Sequence, residues 1–316
     1  MRQSAAYHGL WLTFLCVVVW GGAASAFRIC ACKVHKLDSQ KASHKRLLHT
    51  LTRITSRCDV TFLQGVMASD GSIVKILLAS LNRYSGREAQ RYDDYRYGSV
   101  SSPSLGNSAD DLQKYVFIYR TETAQVMGQY QYQGQNQFAR APFAVNFHSN
   151  ATAIKDFVLV GLNADPSRAV QEIDRLYDVL TQVLNKWNNK NVMFLGNFHA
   201  GCAYMMRRDK KNIRLFTNNS FYWLIGDKSD TTITDKTSCA YNRIVVYGKS
   251  FLKGIMPFSA NVFNFAQEFK LTRTTALQLS DNFPVEVQLK SSALLLQAIP
   301  LLFLLTVALH CFLPSL

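Results

Sequence analysis

The stretch Phe157-Val158-Leu159-Val160-Gly161-Leu162-Asn163-Ala164-Asp165-Pro166, with Val192-Met193-Phe194-Leu195-Gly196-Asn197-Phe198-His199 after it, reads as strand, helix, strand. The two apolar runs are short and rich in β-branched and aromatic residues, as buried strands are. Between them, Asp165-Pro166 offers an N-cap and a first-turn proline, and Val170, Ile173, Tyr177, Leu180, Leu184 and Trp187 recur at three- and four-residue steps. That face reads as packing surface. The same pattern continues outward on both sides, giving further strands at Phe27–Cys32, Asp59–Gln64, Tyr115–Arg120, Phe143–Phe147, Arg243–Tyr247 and Val285–Leu289. A second helix places Leu47, Leu51 and Ile54 on one side and turns Lys41, His44, Lys45 and Arg46 to solvent. There is no repeat and no long low-complexity linker, so residues 27–290 read as one domain of the α/β class. Sheets packed against each other with helices on their outer faces are expected, the site being carried at the strand ends.

Both ends of the 316-residue chain stand apart from this core. Arg2, the apolar Leu10–Trp20 run and the small-x-small triplet Ala24-Ser25-Ala26 have the form of a signal peptide, residues 1–26, with the mature chain starting at Phe27. Residues 293–316 contain no Asp, Glu, Lys or Arg, a length sufficient to span a bilayer. Ser291-Ser292-Ala293 is a small-residue cluster, so the 291–316 tail reads as a glycolipid-anchor signal or a retained transmembrane helix. Secretion or a cell-surface location is therefore expected, with the membrane as one partner through the tail. Asn150-Ala151-Thr152 and Asn218-Asn219-Ser220 are glycosylation sequons. Between the ends lie Cys30, Cys32, Cys58, Cys202 and Cys239, an odd number, leaving at least one thiol unpaired within the chain.

Thirty-five Lys and Arg against 21 Asp and Glu give a net charge of +14. A basic surface attracts nucleic acid, acidic glycans and anionic lipid alike.

The residues just after or before the strands are Gln64-Gly65, Gln113, Asn163, Gly196-Asn197-Phe198-His199, Tyr241-Asn242-Arg243 and Ser280-Asp281-Asn282-Phe283-Pro284. With Leu176-Tyr177-Asp178-Val179, Ala200-Gly201-Cys202, Asp230-Thr231-Thr232, Cys239-Ala240-Tyr241 and Pro284-Val285-Glu286-Val287, they resemble the deoxyribonuclease I family from Phe27 to Lys290. The opening Phe27-Arg28-Ile29-Cys30 and the apolar tail are most similar to its membrane-anchored subgroup. The resemblance implies a four-layer sandwich, two packed mixed β-sheets flanked by helices. It also implies a divalent-metal-dependent phosphodiesterase that cuts DNA to leave 5′-phosphates. That chemistry needs carboxylates for the cation, and His–carboxylate pairs to generate hydroxide.

Position by position, the resemblance puts this chain at odds with that chemistry. Lys33 stands for the family's first-strand Asn, Gly65 for its metal-ligating Glu, Gln113 for the Glu that orients a catalytic His, and Asn163 for that His. Asn197 and His199 replace the Asp and Asn of Gly-Asp-Phe-Asn, Asn242 an Asp, and Asn282 the second catalytic His, while Asp281 keeps its identity. These exchanges preserve size and hydrogen bonding but remove charge and proton transfer. A pseudoenzyme is expected, with the catalytic Mg²⁺ site lost and no cofactor required. A replacement arrangement, with His199 as base, Asp281 as its partner and Lys33 as electrophile, is the enzymatic alternative.

Losing four carboxylates and gaining Lys33 shifts the cleft by about five charges toward positive. The resulting expectation is a cleft that binds DNA or another polyanion through Lys33, Arg140, Tyr204 and Tyr241 without cutting it. A feeble endonuclease and a cell-surface module recognising a protein or glycan are the competing readings. The resemblance further implies a disulfide between Cys202 and Cys239 and a structural calcium loop at Asp230, Thr232 and Thr237. Cys30 and Cys58 are expected as buried thiols, and Cys32 as the reactive odd one.

Overall fold

The computed structural model describes residues 26–67, 71–88, 95–108, 111–134, 137–234 and 236–292. The expected signal, through Ser25, and the apolar tail from Ala293 lie outside the described residues. Among those described, no helix is long and apolar enough to cross a membrane.

Alternation along the strands decides the layering. In β1 (Phe27–Leu37), Phe27, Ile29 and Ala31 face one core while Cys32 and Val34 face another. In β7 (Asp156–Asn163), Phe157 and Leu159 share that first core, whereas Val158, Val160 and Leu162 turn to a third. Strands hydrophobic on both faces must be covered on both. The outcome is two six-stranded mixed sheets with one apolar seam between them and one on each outer face, covered by helices. This is the expected four-layer sandwich.

The first sheet runs β11 (Asn261–Val262), β12 (Val285–Leu289), β1, β2 (Val60–Val66), β4 (Lys114–Arg120), β3 (Tyr97–Ser101). The second runs β5 (Gln125–Gln131), β6 (Phe143–His148), β7, β8 (Val192–Asn197), β10 (Asn242–Tyr247), β9 (Phe221–Trp223). All eight strands expected from sequence are present, several extended by a few residues. The four that were not expected, β3, β5, β9 and β11, are the four sheet edges.

On the outer face of the second sheet lies the helix Ala169–Trp187. Asp165 begins its lead-in turn by accepting from Ser167 N, and Asn188 ends it in the left-handed region with its N–H on Leu184 O. The buried stripe is Ile173, Leu176, Val179, Leu180 and Val183, with Val170, Tyr177, Leu184 and Trp187 at its half-buried margins, a slight rotation from the face expected. Glu172 on this helix is fully buried and accepts from Ala139 N and Asp165 N, fixing the segment that carries Arg140. The second expected helix is two, Ser39–Ser43 and Lys45–Thr55, because His44 takes an extended conformation and caps the second through Nδ1 on Leu47 N. Leu47, Leu51 and Ile54 are buried as expected.

Two cysteine expectations are corrected. Cys30 and Cys58 form a disulfide, because the parallel β1–β2 register of Ile29 on Val60 brings Cys58, just before β2, beside Cys30. Cys32 is fully buried, and burial pushes its thiol up to about 12, so it carries no thiolate to react. The Cys202–Cys239 disulfide is present as expected.

Candidate functional site

Strand register gathers the singled-out residues at one end of the sandwich. Asn163 ends β7, Asn197 ends β8 and Asn242 begins β10, and the pairings Asn163 on Asn197 and Asn197 on Asn242 set three carboxamides in a row. In the facing sheet Lys33 pairs with Gln64 across β1 and β2. Gln64 spans the seam, its Oε1 accepting from Asn197 N at 3.0 Å. Gln113 enters β4, and Asp281 and Asn282 precede β12.

Each carboxamide is oriented by a partner whose role is unambiguous. Gln113 Nε2 donates to Asp111 Oδ1 at 3.2 Å, so its Oε1 faces Asn163 and accepts from Nδ2 there at 3.4 Å. Asn242 Nδ2 donates to the Phe283 carbonyl and Asn282 Nδ2 to Asp281 Oδ1, each at 2.8 Å. Asn163 Oδ1, Asn242 Oδ1, Asn282 Oδ1 and Gln64 Nε2 are buried with no protein partner. Buried polar atoms of this kind are served by solvent or a ligand. The cleft floor therefore presents mainly neutral acceptors.

His199 is similarly fixed. Its backbone N–H donates to Asn197 Oδ1 at 3.2 Å, which leaves Asn197 Nδ2 facing the imidazole Nε2 at 3.3 Å. The other nitrogen, Nδ1, lies 2.9 Å from the Ala164 carbonyl and must donate to it. The ring is thus the Nδ1–H tautomer, with its lone pair occupied by Asn197. Burial, and then the Lys33 ammonium, push its pKa down to about 4. The ring packs against Tyr204 and Tyr241 at centroid distances of 5.1 and 5.4 Å, and the two tyrosines lie 5.5 Å apart.

The His199–Asp281 pair of the enzymatic alternative is not among the hydrogen bonds and ion pairs of the described residues. Lys33 Nζ lies 2.8 Å from Asp281 Oδ2, so the one retained carboxylate is committed to an ammonium. Arg140 is 7% exposed and its Nη1 lies 2.6 Å from Asp111 Oδ2. Both cations expected to meet phosphate are paired internally. Asp111 is a site residue that no sequence motif marks, beyond its position just before β4. Tyr115 was also missed as a site residue; its hydroxyl donates to Arg140 O at 3.2 Å and accepts from Asn163 N at 2.9 Å, joining the two sheets below the cleft.

A divalent cation of the kind the resemblance implies does not fit these residues. Positions 65, 113, 197 and 242 supply no carboxylate, and Lys33 holds Asp281. At Gly65, φ is +85° and an added Cβ would sit 2.0 Å from the Val34 carbonyl oxygen, so the backbone excludes any side chain. The one His, Cys and carboxylate cluster among the described residues, Cys30, Cys58 and Glu286, contains the disulfide pair and is no metal site. In the expected calcium loop, Asp230 Oδ1 accepts from Thr232 N, Thr232 Oγ1 and Cys239 N, and Thr232 Oγ1 lies 2.8 Å from Thr237 O. Of the sequons, Asn150 is exposed after β6 and Asn218 is half-buried, its Oδ1 accepting from Ser220 N.

The depressed His199 pKa gives a stability prediction. In the unfolded chain the imidazole takes a proton near its ordinary 6.5, in the fold only near about 4. Acid therefore protonates the unfolded chain first, so the contribution is whole above pH 6.5, falls through the interval and levels off below about 4. About 3 kcal/mol is lost across that window, at 1.36 kcal/mol per unit. Urea midpoints measured from pH 8 to pH 4 should show a steeper acid decline for the native chain than for His199→Asn; parallel declines would refute the assignment.

No protein-family model matches the chain. Human deoxyribonuclease gamma is 38% identical over 275 residues, covering 85% of this chain and 88% of that protein. Human deoxyribonuclease-1-like 1 is 37% identical over 281 residues, covering 89% and 90%, and mouse deoxyribonuclease-1-like 2 is 40% identical over 269 residues, covering 85% and 93%. Among solved structures, an endonuclease/exonuclease/phosphatase from Bacteroides vulgatus superposes with a TM-score of 0.57 at 12% identity, over 85% of this chain and all of that one. The catalytic domain of human Nocturnin gives 0.54 at 10% identity, over 84% and 99%. At those identities the structural likeness establishes the fold.

Proposed function

The chain belongs to the deoxyribonuclease I family, and from that premise we propose that it binds DNA or another polyanion without hydrolysing it. The observation that carries the silent half is the Lys33–Asp281 ion pair. An ammonium already neutralises Asp281, the one carboxylate retained from the family's set, and Arg140 holds the neighbouring Asp111, so a dication brought there meets paired carboxylates and neutral amides. Nor is there a base at the positions of the family's two catalytic His residues. Asn163 and Asn282 have no proton to exchange, and His199 would have to surrender Asn197 and gather a proton beside Lys33.

The binding half rests on charge. A chain at +14 carries a field that draws phosphate polymers and releases their counterions. Two disulfides among the five cysteines between residues 27 and 290 suit the secretory route and the extracellular DNA or acidic polymers met there. Asp230, Thr232 and Thr237 offer the hard oxygens that calcium takes, and a structural calcium would be held by them.

Fluorescence anisotropy of labelled DNA in excess chelator tests the binding. The expected result is association at low salt that weakens at least about tenfold between roughly 50 and 200 mM salt. No association at low salt overturns it.

A further inference from the structure

Resting on the polyanion reading, the question becomes where the polymer meets the protein, since the two cations of the cleft are already paired. Beyond the Cys202–Cys239 disulfide, a cavity of about 570 Å³ is walled by the backbone that follows His199 and the backbone that precedes Tyr241. Arg207, Lys210, Lys228 and Arg243 line it, with Asp227 as its one carboxylate. Arg243 is 1% exposed and anchored by donation to the carbonyls of Ala240, Ile225 and Ala200 and to Asp227 Oδ1. Lys210 covers the other Asp227 oxygen. Asp227 is thereby shared by two cations, while Arg207 and Lys228 are exposed and have no ionic partner among the described residues. The cavity holds three positive charges in excess, one of them fixed in its floor.

We propose that this cavity is the phosphate-binding half of a single-stranded nucleic-acid site whose other half is Tyr204. The ring of Tyr204 lies three residues before Arg207, is 41% exposed, and is backed by Tyr241 and His199. An aromatic face beside a cationic groove is the combination that unpaired strands require, bases stacking on the one and phosphates following the other. A sulfated glycan would use the cations and leave the ring idle. A duplex keeps its bases stacked on each other, so it gains nothing from Tyr204. Lys33 and Arg140, tied to Asp281 and Asp111, are not needed for it.

The test is a titration of the full chain, in chelator, with a labelled oligothymidine strand, the matching duplex and heparin as the sulfated glycan. Arg207→Ala/Lys228→Ala should weaken the strand about tenfold or more and flatten its salt dependence by about 1.4 in log–log slope, at about 0.7 per phosphate released. Tyr204→Ala should weaken the strand about tenfold while leaving heparin unchanged. All three residues are exposed, so an unaltered unfolding midpoint certifies that these variants fold. If the native chain binds the strand, and Lys33→Met abolishes this while the cavity variants do not, the polymer lies in the cleft; the polyanion reading then stands and this site falls. Heparin bound more tightly than the strand, with Tyr204→Ala moving neither, overturns the class of ligand. No binding of any probe overturns both.

Discussion

Incubated with supercoiled plasmid and Mg²⁺, Mn²⁺ or Ca²⁺, the purified chain will leave it supercoiled under conditions where an intact family member nicks it fully, a deficit of at least about 10⁴ in rate. Loss of one general base costs about 10²–10⁴, and groups that act as a unit fail together rather than independently. For the same reason, restoring one residue restores nothing. Asn282→His puts an imidazole beside Asp281, but that carboxylate remains on Lys33. Asn163→His meets Gln113, whose carboxamide cannot stabilise an imidazolium as a carboxylate does. Gly65→Glu is worse than neutral, since its Cβ would lie 2.0 Å from the Val34 carbonyl at a φ of +85°. A side chain there forces the irregular β1–β2 pairing to move, and strain of about 1–3 kcal/mol is the scale of such backbone outliers. Nicking within about a hundredfold of an intact relative, by the native chain or by any single restoration, would refute the proposal.

What could be read without coordinates divides along a physical line. Strands buried on both faces write continuous apolar runs, as in Phe157–Leu162 and Val192–Leu195, while Val285–Leu289 alternates, and all eight expected segments form strands. The four missed strands are the sheet edges, where one side needs no partner. β5 is Gln-Val-Met-Gly-Gln-Tyr-Gln and β3 Tyr-Gly-Ser-Val-Ser, both too polar to write an apolar run, while β9 has three residues and β11 two, too few to show a period. The site divides similarly. Residue type alone told that Asn163, Asn197, Asn242 and Asn282 cannot do acid–base work. It could not tell that Lys33 reaches Asp281, 248 positions away, or that Arg140 is held by Asp111, because the first pair meets through the β1–β12 pairing and the second through the packing of one sheet on the other. A charge count taken from residue types treats Lys33 and Arg140 as free, whereas each is paired with a carboxylate.

The Cys30–Cys58 bond carries the second large expected effect. It closes a loop with a sequence separation of 28 that holds both helices packed under the first sheet, Ser39–Ser43 and Lys45–Thr55. Cross-linking a loop of that length removes denatured-state entropy equivalent to about 3.5 kcal/mol in the chain-entropy model. Cys30→Ala/Cys58→Ala should therefore lower unfolding stability by about that amount, or a few degrees to well over ten in Tm depending on the unfolding entropy. The bond also sits where the neighbouring charges need rigidity. Arg57 donates both to Glu286 Oε1 and Oε2, at 3.1 and 3.0 Å, and its guanidinium stacks 3.6 Å from the Phe263 ring. Loosening Cys58 frees the adjacent Arg57, so part of the loss should appear as weakened anchoring of β12, the strand that follows Asp281 and Asn282 directly. Thiol counting separates this bond from Cys32. Of the five cysteines between residues 27 and 290, the native fold should yield none to a thiol reagent, because Cys32 is buried and holds its proton up to about 12. Denaturation without reductant should expose one. Three would mean that Cys30 and Cys58 are free, and equal stability of the double variant and the native chain would show that the bond constrains nothing.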